Sequence, residues 1–161
     1  MPYAGTCHSN QGLSIDEQIT IFDVNVPYVD KYYIWTALTR ATDFNNVSIY
    51  VHSQKEIEAL TKSRIKQYFE NKVEGYKLQD DNAGRLYDKN DFIDADWINE
   101  QYHNLTVKSC SCCKTPYQTN IVNGNVRSNL TVDRIDSSKP HIKNNCHLLC
   151  IDCNRTKGNR Y

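Results

Sequence analysis

Cys110 and Cys113, with Cys150 and Cys153, form two CxxC pairs, a spacing that lets both thiolates of one tight turn reach the same ion. Two such pairs complete a tetrahedral four-sulfur zinc site. The competing readings are that these are buried core cysteines, or that Cys112 or Cys146 takes a place in the site. A shell closed by four protein ligands leaves no position for water or substrate, so the zinc is expected to be structural. It would hold together a module too small to be stable on its core alone. Six of the seven cysteines fall within residues 110–153, a local cluster with Cys7 as the outlier. No apolar run suits a membrane span or a signal peptide, so a reducing, intracellular setting is expected, where clustered thiols read as metal ligands.

Elements that would carry such a site can be read along the chain. Residues 18–24 and 47–52 are short, β-branched and aromatic, and read as strands, with a helix between them at 32–42. Strand, helix, strand fits a piece of a parallel α/β sheet. Ser53 with Glu56 makes a capping box, followed by Ile57, Leu60, Ile65, Tyr68, Phe69 and Val73 at helical spacing, which predicts a helix over 54–72. The polar, turn-rich stretch 79–91 reads as a linker. Asp94 is placed to cap a short helix presenting Trp97, Ile98 and Tyr102 to a core.

Charge divides the chain. Residues 1–100 carry 10 Lys+Arg against 16 Asp+Glu and residues 101–161 carry 9 against 3, so a net −6 faces a net +6. Two small domains fit the 161 residues better than one, and the basic half suits a polyanion such as nucleic acid. A solvated charged face is the plainer account of the same numbers.

Between the CxxC pairs lies LTVDRIDSSKPHIKNNCHLLC, and Asn154, Lys157 and Gly158 follow the last cysteine. Together these motifs resemble the HNH (ββα-metal) endonucleases in their zinc-ribbon-stapled form, over residues 105–161. The resemblance implies a β-hairpin and a helix gripping one divalent ion, with Asp133 and Asn154 as its ligands and Asn145 as a brace. Magnesium or manganese suits such oxygen donors and would assist phosphodiester hydrolysis. The family's usual base is a His directly after the first Asp. Here Arg134 stands in that place, and a guanidinium does not accept a proton near neutral pH. The base would then be His141 or His147. Otherwise the ion alone activates water while Arg134 clamps a phosphate oxygen, or the module binds DNA and has lost its chemistry. Asp136 reads as a turn residue. Lys139, Lys143, Arg155, Lys157 and Arg160 would supply phosphate contacts, several of them serving solubility instead.

The front of the chain resembles a different family. AGTCHSNQGLSID followed by YIWTALTRATDF is similar to the last two motifs of superfamily 1 DNA helicases of the RecD-like kind, over residues 3–52. The resemblance implies nucleotide- and DNA-sensing roles for Thr6, His8, Gln11 and Gly12, and an arginine finger at Arg40. Ser9 and Asn10 depart from the family's commoner Lys-Ser. No phosphate-cradling Gly-Lys-Ser/Thr loop occurs in the sequence, and the motif begins at residue 4, so no ATPase or helicase activity is expected from this chain alone. The expected whole is an α+β chain: a partial RecA-like α/β fragment at 1–52, a helical connecting segment at 53–104 and a small, treble-clef-like nuclease module at 105–161. The connecting segment resembles the stretch ahead of such modules in proteins of large DNA viruses. Tyr76 and Trp97 in it read as core. Expected partners are DNA and an upstream helicase half, with no membrane, and the expected place is the cytoplasm, nucleus or a viral replication site.

Overall fold

The computed structural model describes residues 5–6, 9–27, 29–122 and 125–158. His8 and Arg160, named above, lie outside them. The fold is mixed α+β, with four α-helices and three two-stranded sheets among the described residues. Two compact units divide the chain. One comprises residues 1–61 with 121–125, the other residues 62–120 with 126–161. The second therefore combines most of the expected connecting segment with nearly all of the terminal module.

In the first unit, β1 (Ile19–Ile21) and β2 (Val47–Ile49) pair in parallel, with Ile19 opposite Val47, and α1 (Lys31–Leu38) forms the crossover. Asp30 caps α1 by accepting from the Tyr33 N–H at 2.9 Å. Parallel strands are stable when both faces are covered. Here only Ile21 and Val26 are buried among the described apolar side chains of residues 1–61, while Tyr32, Trp35, Phe44, Ile49 and Val51 are exposed.

The capping box begins α2 (Gln54–Asn82) as the sequence predicts: the Glu56 carboxylate accepts from both the Ser53 N–H and hydroxyl, which lowers its pKa to about 2. The helix runs ten residues past its predicted end, into the stretch read as a linker. The reason is tertiary: Asp80, in that stretch, is wholly buried and engaged by Arg134, 54 residues away, as well as by Arg85 just past the helix end. Gly84, with φ of 67°, turns the chain just beyond the helix end.

In the second unit, α3 (Ala95–Asn104) begins at Asp94, whose carboxylate accepts from the Trp97 N–H at 2.7 Å. After α3 comes the Cys110 turn, then β3 (Thr119–Val122) paired with β4 (Asn125–Ser128). The chain closes with β5 (Leu130–Arg134), β6 (Cys146–Cys150) and α4 (Ile151–Lys157), an antiparallel hairpin followed at once by a helix that packs on it. One core joins the segments: Val73 from α2, Phe92 and Ile93 from the loop, Trp97 and Ile98 from α3, Cys110 and Tyr117, and Leu130, Val132, Leu148 and Leu149 from the hairpin. Tyr76 packs against this cluster, and no helix among the described residues is long and apolar enough to cross a membrane.

Candidate functional site

Cys110, Cys113, Cys150 and Cys153 converge so that all four sulfurs lie within 4.8 Å of one another. A tetrahedron with Zn–S bonds of about 2.3 Å has edges of roughly 3.8 Å, so the cluster can hold a metal ion such as zinc with little movement. Lys114 turns the first pair with a φ of 63°, and its N–H returns to the Cys110 carbonyl at 3.0 Å. Backbone N–H groups also point at the sulfurs, from Cys150 to Cys110 and from Cys153 to Cys150, both at 3.4 Å. The Cys113 thiol is held down at about 6, first by its hydrogen bond with the Thr115 hydroxyl and then by the Thr115 N–H. The two competitors stand apart. Cys112 is exposed, and Cys146 lies in the core, where burial pushes its thiol up to about 12.

Strand alternation sorts the remaining residues onto two faces of the β5–β6 hairpin. On one face are Thr131 and Asp133, with α4 over them. Asn154 donates its amide N–H to the Thr131 hydroxyl at 3.1 Å and the Val132 carbonyl at 3.0 Å. With the amide nitrogen so held, the Asn154 Oδ1 is the atom of that side chain left to face a ligand. One turn further on, Lys157 places its ammonium on Asp133 Oδ2 at 2.7 Å and on the Arg134 carbonyl. The register sets Asp133 directly opposite His147, whose Nε2 meets the same Oδ2 at 2.7 Å. Asp133 is buried, while the His147 side chain is 44% exposed. Gly158 ends α4 with φ of 54°, its N–H returning to the Asn154 carbonyl.

On the other face the hairpin meets α2. Val132 donates its N–H to the Tyr76 hydroxyl at 3.3 Å, and the Lys72 ammonium reaches the Leu130 carbonyl at 3.0 Å. Arg134 points to this side, 3.4 Å from Asp80 and donating to the Lys139 carbonyl at 3.3 Å. Asp80 Oδ1 also takes Arg85 at 3.2 Å, while its Oδ2 takes the backbone N–H of His141 at 2.7 Å and its Nδ1 at 2.9 Å. The His141 ring stacks on Tyr76 with centroids 4.6 Å apart. Burial lowers the His141 pKa against the opposing pull of Asp80, so the ring is neutral near pH 7. The structure thus brings Asp133, Asn154, Lys157 and His147 together. It sets Arg134 and His141 apart from them, on the opposite face.

Between the strands, Asn145 braces the connecting loop. Its Oδ1 accepts from the Asp136 N–H, and its amide nitrogen donates to the Asp136 and Pro140 carbonyls, each at 3.0 Å. Asp136 closes a turn by accepting from the Ser138 N–H at 3.0 Å. The same loop is tied back by Ile93 to the His141 carbonyl and by the Lys143 N–H to the Asp91 carbonyl.

Among the expected phosphate contacts, Arg155 is exposed on α4, Lys139 is exposed beside Asp136 at 3.3 Å, and the Lys143 ammonium donates to the Asn90 carbonyl. In the first unit, Gln11 is exposed. The Arg40 guanidinium is engaged by the Leu13 and Thr36 carbonyls and the Thr39 hydroxyl, and Thr6 accepts from the Ser9 N–H.

Sequence reasoning missed Asp80 altogether and placed His147 behind His141. The hairpin register held a usable signal: counting back from Cys150, paired with Leu130, puts His147 across from Asp133. No protein-family model, no curated protein and no solved structure matches the chain.

Proposed function

We propose that the β5–β6–α4 segment with its four-cysteine cluster is an HNH-type nuclease module that hydrolyses phosphodiester bonds of DNA with the help of a divalent ion. The observation that carries this reading is the convergence of Asp133, Asn154 and His147 on one face of a hairpin whose helix begins at a cysteine of the four-sulfur cluster. Zinc in the cysteine cluster would be structural. Asp133 and Asn154 Oδ1 offer two oxygen donors, a sparse set of the kind magnesium and manganese accept when water and substrate phosphate supply the rest. When bound, that ion would stabilise charge developing on the phosphate oxygens.

The chain's own residues divide the remaining work. Asp133 accepts the His147 Nε2–H, which leaves His147 Nδ1 as the basic nitrogen, exposed and able to take a proton from water. His147 is thereby preferred to His141 as the general base. Arg155 on α4 suits a phosphate contact that positions the duplex backbone. Arg134, turned toward Asp80, is assigned a structural part. The first unit is proposed to carry the last two motifs of a RecD-like helicase domain, with Arg40 as its arginine finger.

Supercoiled plasmid with magnesium or manganese tests the reading. Nicking that disappears in Asp133→Ala and His147→Ala supports it. A second reading, a zinc-stapled DNA-binding module without chemistry, is favoured by the lysine cation on Asp133, and plasmid that is retarded in a gel yet stays intact would establish it instead.

A further inference from the structure

The ammonium of Lys157 is held in a small cage of oxygens. It sits 2.7 Å from Asp133 Oδ2, bonds the Arg134 carbonyl and lies 3.5 Å from the Ile135 carbonyl, so each of its three N–H bonds has an acceptor. The side chain is 17% exposed and that of Asp133 7%. One carboxylate oxygen and two main-chain carbonyls are oxygen ligands of the type a hard cation takes. His147 meets the same Oδ2, so that oxygen already has two donors. A compact, strongly hydrated charge on a flexible four-carbon stem therefore stands beside the carboxylate assigned to the divalent ion.

We propose that Lys157 is a built-in competitor for the Asp133 site: a divalent ion loads by expelling the ammonium, and the expelled ammonium becomes a contact for a DNA phosphate. This rests on the reading of Asp133 as a metal ligand. A divalent ion and an ammonium crowded onto one buried carboxylate repel each other, so entry of the ion drives the ammonium out. Lys157 is the last residue of α4, and its stem can swing outward without disturbing the helix. Released, it joins Arg155 on a basic surface. Because the two events share one side chain, filling the ion site raises affinity for phosphate, and phosphate raises affinity for the ion by the same factor. Without DNA the site is held closed by a charge of its own.

The test uses the full zinc-loaded chain and manganese binding followed by electron paramagnetic resonance. Manganese prefers oxygen donors and leaves the sulfur site alone. Lys157→Met, which keeps the stem and removes the charge, is expected to bind manganese about tenfold tighter or more than the native chain, and Asp133→Asn to lose the site. Equal affinity in the native chain and Lys157→Met overturns the competition while leaving the nuclease reading intact. Binding by neither removes both. A second measurement needs no variant. In chain carrying 15N-lysine, the protected Lys157 ammonium signal should vanish as magnesium is added, and a signal that persists once the site is filled overturns the proposal.

Discussion

The two compact units solve the problem of small size in opposite ways. In residues 1–61, two apolar side chains are buried among those described, and aromatic residues such as Trp35 and Phe44 face solvent. In the second unit, a continuous core, a four-sulfur cluster and a buried carboxylate with cationic partners reinforce one another. A short chain segment becomes rigid when its polar and sulfur groups close local loops that the core alone leaves open. The candidate site lies entirely where that has happened.

The largest break in this contrast should come from the sulfur cluster. Zinc sites of this kind carry apparent binding free energies of about 10–16 kcal/mol near neutral pH, so a strong chelator or Cys150→Ser should unfold the second unit. The two tryptophans give separate readouts, since Trp97 is 9% exposed and Trp35 is 65% exposed. Chelation should shift Trp97 emission to the red and leave Trp35, already solvated, unchanged. Emission that stays blue without metal would mean that the core holds the unit unaided.

A smaller break is expected at Asp80. Asp80→Ala leaves Arg85 and Arg134 as inward cations without their carboxylate, a loss of about 3–5 kcal/mol in denaturant unfolding. A change under about 1 kcal/mol would show that water replaces the carboxylate there. The same network sets a pH limit. His141 titrates below its usual value when folded, so its contribution is complete above an unfolded pKa of about 6.5 and is lost as pH falls below that. Melting temperature should therefore drop on the acid side of pH 6.5, and less steeply in His141→Gln.

One residue type in two settings sharpens the comparison further, down to an effect near zero. Trp97→Ala should cost about 3–5 kcal/mol, whereas Trp35→Ala should fall within about 0.5 kcal/mol of the native chain. A large loss at Trp35 would reveal packing that its exposure does not suggest.

Much of the second unit is legible in sequence because its signals are local. The CxxC spacing and the Asp94 cap each involve groups three residues apart and form as read, as does the Ser53–Glu56 capping box in the first unit. The parallel β1–β2 pair with its crossover helix was legible for the same reason, from short periodic runs. Asp80 was not. In a stretch of Asp, Asn, Gly and Lys it looks like a solvated turn residue, and its partners Arg134 and His141 lie 54 and 61 residues away. Which of the two histidines meets Asp133 was not legible either, because the face a side chain takes is decided by strand pairing.

Cys150 is at once the last residue of β6, the N-cap of α4 and a member of the sulfur cluster. Lys157 lies seven residues further on, about 10 Å along the helix axis. The helix is thus a lever held at its base by the sulfurs of Cys150 and Cys153, and a small rotation there is magnified at the tip. In a metal-loaded cluster, an ion with longer bonds to sulfur would therefore misaim the tip.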